Sequence, residues 1–175
     1  MSDSGLLSKI VLHHEISAFL FREARILDEE RYTEWLEFFT EDVHYWVPGV
    51  ENLARRDLER STSVDHMAHF DDTMDDLRMR VERFVAPTAW AEDPPTRHLH
   101  LISNIEVFET EEPDVHRVHS AFVNYRSQGE SENATLYGRR EDLIKQVSER
   151  EFKISKRVVV LRHNVLPAKN INTFF

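Results

Sequence analysis

Two histidines and two aspartates fall close together in the stretch VDHMAHFDD: His66, His69, Asp71 and Asp72. Imidazole nitrogen and carboxylate oxygen are the donors of mononuclear iron and zinc sites. If the segment is helical, His66 and His69 share one side of it, and Asp71, Asp72 or Asp75 could complete a facial triad. A plainer account fits the same residues. The stretch lies just before a predicted helix, where aspartates act as N-caps and complement the helix dipole. Acids at a helix start need no metal to explain them, so the stretch reads as helix-start chemistry rather than as a site.

A second histidine pair, His98 and His100, falls two residues apart in a strand-like segment and so shares one face. His116 and His119, three apart, face opposite ways on a regular strand. On the inner face of a curved sheet, His98 and His100 could build an acid–base pocket with an Asp or Glu from the helical half. The alternative is a polar strand face at a wet or subunit surface. Trp90 stands in the rigid connector WAEDPP, ahead of Asp93, Pro94 and Pro95. It either anchors a partner or closes over the edge of the core. The apolar residues Phe174 and Phe175 in NINTFF should dock on this chain or on a neighbour rather than stay in water. No Ser-His-Asp order is legible, and no cysteine is present to act as a nucleophile.

The elements that would position these residues follow from periodicity. Leu12, Ile16, Phe19, Leu20, Ala24 and Leu27 recur at spacings of three and four, the apolar stripe of a first helix. Tyr32, Trp35, Leu36 and Phe39 give a short second helix, and EDVHYWVPG turns strand-like before Pro48 and Gly49 end it. A third helix is predicted over about 73–85 on the stripe Met74, Leu77, Val81 and Phe84, with Asp71 or Asp72 as N-cap. From HLHLISNIEVFE onward four long strands follow one another, separated by short turns with no helices between them, which implies an antiparallel meander. In the first of these, Leu99, Leu101, Ile105 and Val107 are expected on one face. Lys153, Lys156, Arg157 and Arg162 alternate with apolar residues, as on a solvated or partner-facing strand face. The layout is α+β, helices on one face of a long curved sheet, in one domain spanning 1–175.

Composition narrows the function. The 32 acidic residues outnumber 22 basic ones for a net charge of −10, which disfavours a polyanion such as DNA as partner. Only 4 glycines are present and no nucleotide-binding glycine motif occurs. With no cysteine there are no disulfides and no thiolate-held iron–sulfur cluster. The opening MSDSGLLSKIVLHHE has no basic region leading into a long apolar run, and no stretch reaches the roughly 18 uncharged apolar residues of a membrane span. The expected location is the cytoplasm.

Several stretches together resemble a known family: ISAFLFREARILDEERYTEWLEFFTEDVHYWVP, DDTMDDLRMRVERF, WAEDPPTRHLHLISNIEV, NYRS, GRREDLI and RVVVLRHNVLPAKNINTFF. The chain, over about 12–175, looks like the small (β) subunit of a bacterial aromatic-ring-hydroxylating dioxygenase of the biphenyl, naphthalene and phenylpropionate type. That resemblance implies a nuclear-transport-factor-2-like cone. It also implies a large (α) partner subunit that carries a Rieske [2Fe–2S] cluster and a mononuclear Fe(II). Electrons would reach that subunit from NADH through a reductase and a ferredoxin, and arenes would leave it as cis-dihydrodiols. The small subunit would be structural, three copies assembling with three large subunits and with each other. A Rieske cluster takes two Cys and two His, so this cysteine-free chain holds none, and no catalytic, metal or cofactor residue carries over. Trp90, Arg97, His98, Phe174 and Phe175 are the expected contacts with partner subunits, and a sheet face with Arg97, His98, His100, His116, His119 and Arg126 suits contacts between copies. The competing reading is a stand-alone cone-fold dehydratase or isomerase using a pocket His–carboxylate pair. The lack of a clear His–Asp couple in the sequence speaks against it.

Overall fold

In a computed structural model, residues 3–49, 68–86, 96–129, 132–163, 167, 171 and 173–175 are described. Helix α1 spans Asp3–Asp28. Its predicted stripe faces inward: Ile16, Phe19, Leu20, Ala24 and Leu27 are all buried, and Leu12 packs at their margin. The predicted second helix is a single turn, α2 (Tyr32–Trp35), followed by a 3-10 turn at Leu36–Phe38. Phe39 already opens strand β1 (Phe39–Pro48). Trp35, Phe38 and Phe39 are all buried. On an α-helix Phe38 and Phe39 would point about 100° apart, so burying both requires the helix to tighten and end.

Strand β2 (Ala68–Asp72) leads directly into helix α3 (Met74–Val85). The N-cap of α3 is Thr73, not Asp71 or Asp72. Its hydroxyl accepts from the Asp76 amide, and the Asp76 carboxylate accepts from the Thr73 amide at 2.9 Å, a reciprocal capping box. The aspartates expected to cap the helix belong instead to the strand before it, because Thr73 adopts the extended backbone that a cap requires.

Strands β3 (Arg97–Glu109), β4 (Val115–Gln128), β5 (Glu132–Ser148) and β6 (Glu151–Leu161) form the predicted antiparallel meander. The full sheet runs β2-β1-β6-β5-β4-β3. One pairing departs from the antiparallel expectation: β1 lies parallel to β6. The sheet curls around α1, and the curl demands a residue without a side chain at Gly138. A Cβ there would sit 2.4 Å from the Val160 carbonyl oxygen and 3.0 Å from the Phe122 ring.

Two bulges decide which side chains the curl encloses. In β3 the pairing with β4 slips between Ser103 and Glu106, and Asn104 takes a positive φ of 52°. His98, His100 and Ile102 therefore point inward before the bulge, and Ile105 and Val107 after it. Leu99 and Leu101, expected beside Ile105 and Val107, lie outside at 50% and 56% exposure. In β6, Ser155 is the extra residue between Ile154 and Lys156, and its hydroxyl bonds the Leu143 carbonyl. The change of phase turns Arg157 inward, where it is fully buried, and overturns its expected place on a solvated or partner-facing strand face.

Candidate functional site

The inward side chains meet in a polar cluster at the centre of the cone. Glu23 stands within the apolar stripe of α1 and is completely buried. Arg157 donates Nε and Nη2 to the two Asp142 carboxylate oxygens at 2.8 Å each. Its Nη1 and Nη2 also reach both oxygens of Glu23, the latter at 2.9 Å. Trp35 donates its indole N–H to Glu23 at 3.0 Å, and Arg140 Nη1 approaches Glu23 at 3.4 Å. Counting side chains alone, two carboxylates thus face two guanidiniums.

Electrostatics follow from that pairing. Burial alone would push the Glu23 carboxyl up, but Arg157, Arg140 and the hydrogen bonds from Arg157 and Trp35 outweigh it and hold Glu23 below the usual carboxylate range. Burial works against the charge on Arg157 as well, yet Asp142 and Glu23 raise its pKa well above the ordinary value. Arg140 is lowered, since burial and the neighbouring Arg157 outweigh its carboxylates. Burial likewise pushes the Tyr45 phenol up, so it stays a neutral donor. Arg140 is also the least satisfied member. Its Nε and Nη2, and the hydroxyl of its cross-strand partner Ser120, have no hydrogen-bond partner among the described residues.

A second polar group lies beside the first. Asp28, the last residue of α1, accepts from the His100 amide at 3.0 and 3.1 Å and meets His100 Nδ1 at 2.6 Å. A carboxylate at a helix C-terminus opposes the dipole, and the three contacts to His100 offset that. The structure therefore contains a part-buried His–Asp couple, which the sequence reading had counted as missing. One partner comes from the helical half and one from the inner face of β3, as the acid–base alternative required. His98 stacks on His100 with centroids 6.0 Å apart and contacts Asn124 at 3.3 Å.

Residues 173–175 close over both groups. The Phe175 carbonyl accepts from Tyr45 at 2.9 Å and from Arg157 at 2.8 Å, and the Phe175 amide donates to the Tyr45 hydroxyl. His100 Nε2 meets the Phe174 carbonyl at 3.1 Å, and Asn124 donates to the Thr173 hydroxyl at 2.6 Å. The Phe174 ring sits among Trp35, Phe84 and Tyr32, and the Phe175 ring between Phe122 and Phe70. Of the two docking options for NINTFF, the chain takes its own interior. Phe174 and Phe175, expected at a subunit contact, are 2% and 0% exposed and offer a partner no surface. Inside, both rings gain aromatic neighbours on more than one side.

The remaining sequence candidates separate. Arg97 is exposed at the start of β3. His116 is buried and His119 is partly exposed, on opposite faces as expected. Asp71 meets His44 at 2.7 Å on the outside. Asp72 is buried and takes a two-pronged contact from Arg80 of α3, whose guanidinium also lies 4.1 Å over the Phe70 ring. These pairings account for Asp71 and Asp72 of the opening stretch, and Asp65 lies outside the described residues. His69 is exposed in β2, and partial desolvation of its ring lowers its pKa. His66, Trp90, Asp93, Pro94 and Pro95 lie outside the described residues. Among the described residues no group of three His, Cys, Asp or Glu could hold a metal ion, and the donor set of a Rieske cluster does not fit a chain without cysteine. No described helix is long and apolar enough to cross a membrane. Periodicity missed the Glu23–Arg157–Asp142 cluster, although a lone Glu inside an apolar helical stripe was its visible signal.

The cone architecture is shared with solved structures. Naphthalene 1,2-dioxygenase, solved with indole in its active site, superposes with a TM-score of 0.85 at 25% identity, covering 100% of this chain and 88% of that one. The β subunit of benzoate 1,2-dioxygenase from Burkholderia mallei gives 0.70 at 26% identity, over 91% of this chain and 95% of that one. A protein of Novosphingobium aromaticivorans assigned as a scytalone dehydratase gives 0.63 at 18% identity over 100% of both chains, a likeness of fold alone. It identifies the curled sheet as the nuclear-transport-factor-2-like cone. The family model described as the ring hydroxylating beta subunit matches residues 22–168, which contain the Glu23 cluster, the His100–Asp28 couple and all six strands, and the chain belongs to the family of ring-hydroxylating dioxygenase β subunits.

Proposed function

We propose that this chain is the non-catalytic, structural subunit of a cytoplasmic Rieske non-haem iron dioxygenase that converts an aromatic hydrocarbon to a cis-dihydrodiol. The whole of 1–175 acts as one domain. Three copies assemble with three large subunits and with each other. The Rieske cluster and mononuclear iron belong to the large subunit, and electrons arrive from NADH through a reductase and a ferredoxin. The family match is the observation that carries this reading. The absence of cysteine supports it, since the iron–sulfur centre then needs a companion chain. The His100–Asp28 couple does not favour a stand-alone dehydratase, because the Phe174 carbonyl already occupies the outer nitrogen of the ring.

The outer face of the sheet supports a scaffolding role. Leu99 pairs across the strands with Tyr125, and Leu101 with Val123, which in turn pairs with Tyr137. Leu99, Leu101, Tyr125 and Tyr137 are each 41–56% exposed, together an apolar patch of the kind that marks an interface. Arg97 lies at its edge on the same face, and Arg97, the inward-facing His98 and Trp90 remain the proposed partner contacts. Co-expression with the large subunit and light scattering after size exclusion tests the proposal. Leu101→Asp should leave the isolated chain folded, within about 0.5 kcal/mol for an exposed site, and reduce the assembly to smaller species. A full-sized complex from Leu101→Asp would remove this face from the interface. Arene turnover by the isolated chain would refute the structural role itself.

A further inference from the structure

We propose that the outward face of α1 is the docking surface for an acidic, amphipathic helix of the large subunit. This assignment rests on the scaffolding role proposed above and names one of its contacts.

A helix that lies on a core needs one apolar stripe, and α1 has two. The inner one, which includes Ile16, Leu20 and Leu27, is buried in the core. A second set, Leu6, Leu7, Ile10, Val11 and Phe21, is 45–62% exposed. Successive helical residues turn by about 100°. Leu7, Ile10, Val11, Ala18 and Phe21 therefore share one side of the helix, opposite the side that carries Ile16 and Leu27. At about 1.5 Å per residue, that side runs about 21 Å from Leu7 to Phe21. Single exposed leucines are ordinary, but a continuous apolar face of this length marks a contact. A cleft of about 640 Å³ runs beside it, lined by Ile10, Val11, Ala18, Phe152, Arg22 and Arg150.

Charge decides the occupant. The chain as a whole carries −10, yet this face is basic. Arg22 and Arg25 are exposed and have no ion pair among the described residues. Glu15, the one carboxylate lining the cleft, is committed to Arg150 at 3.3 Å. A second copy of this chain would bring the same unpaired arginines to the contact, and like charges are unfavourable there. A helix that lays apolar side chains in the cleft and carboxylates over Arg22 and Arg25 satisfies both features at once. The face is separate from the Leu99 and Leu101 patch, which lies on the far side of the sheet.

The test is co-expression with the large subunit, read by light scattering after size exclusion, with Leu101→Asp as the independent probe of the sheet patch. Leu7→Asp with Ile10→Asp should leave the isolated chain folded by circular dichroism and weaken its affinity for the large subunit by about 10-fold or more. Arg22→Glu with Arg25→Glu should do the same. Arg22→Gln with Arg25→Gln should weaken the complex less and flatten its dependence on salt between about 0.05 and 0.5 M. Should the aspartates unwind the helix, the arginine variants decide alone. A complex of parental affinity from either the aspartate pair or the glutamate pair overturns the proposal. So does an aspartate pair that breaks contacts between copies of this chain while the large subunit still binds. If Leu101→Asp disrupts the complex and the α1 variants do not, the docking face is wrong and the scaffolding role stands. If the parent chain forms no complex with the large subunit, both fall together.

Discussion

Replacing Arg157 with methionine should be among the most damaging single changes to this chain. Arg157 is fully buried and makes five hydrogen bonds, to Asp142, Glu23 and the Phe175 carbonyl. Methionine approximates the length of the side chain, so the loss is one of charge rather than of volume. Glu23 and Asp142 would then share only Arg140, which approaches Glu23 at no closer than 3.4 Å. Breaking a buried pair by removing one partner costs about 3–5 kcal/mol, a large part of the roughly 5–15 kcal/mol that holds a domain folded. With a urea slope of about 2 kcal/mol per molar, the denaturation midpoint should fall by about 2 M. Fluorescence of Trp35, whose indole donates to Glu23, reports the transition.

The pH dependence separates charge from packing. In the unsubstituted chain Glu23 lies below its ordinary value of 4.5. Its stabilising contribution is fully present above that value and is lost as pH falls through the folded pKa. In Arg157→Met the largest opposing influence on Glu23 is gone, and burial carries the carboxyl upward. A raised carboxyl destabilises at neutral pH, and the penalty fades as acid protonates it. The gap between the two proteins should therefore be widest at pH 7 and narrow toward pH 5. Adding Asp142→Asn, which restores neutrality, should recover at least about 1 kcal/mol relative to additivity. A midpoint shift under about 0.5 M at pH 7, or a gap that widens at pH 5, would refute the reasoning.

Two further substitutions test the positions that shape the cone. Gly138→Ala should cost about 1–3 kcal/mol, because the new methyl meets the Val160 carbonyl and the backbones of β5 and β6 must part; calorimetry should show the drop in melting temperature. Thr73→Ala should cost about 1 kcal/mol by opening the capping box, while Thr73→Ser keeps the hydroxyl and should stay near the parent in the same measurement.

Element types were legible in the sequence wherever a regular period survived. The stripe of α1 and the four strands of the meander follow directly from spacing. The faces of β3 and β6 were not legible, because one inserted residue reverses the parity of everything beyond it. That is why Leu99 and Leu101 were expected on one face with Ile105 and Val107, and Arg157 on a solvated or partner-facing one. The His100–Asp28 couple was half visible: spacing put His98 and His100 on one face, but no local pattern links a strand histidine to a helix-terminal aspartate 72 residues away. The buried cluster was hidden for the same reason, since Glu23 and Arg157 are 134 residues apart and nothing near either one names the other.

The two bulges also explain how one sheet serves two opposite demands. A sheet with uninterrupted alternation would carry Leu99 and Leu101 inward with Ile105 and Val107, and would leave Arg157 in water. The slip in β3 instead sends the leucines outward and the histidines inward, and the slip in β6 sends an arginine inward to meet Glu23. Polar groups are thereby concentrated where the fold can pair most of them, and apolar groups are left on a face that the described residues do not cover. Each exchange is unfavourable for an isolated domain: one buries charge, the other exposes leucine. The first is offset within the chain by the Arg157 pairings and by the phenylalanines that exclude water from them. The second has no compensation among the described residues, and that is what the proposed contact with a partner subunit would supply.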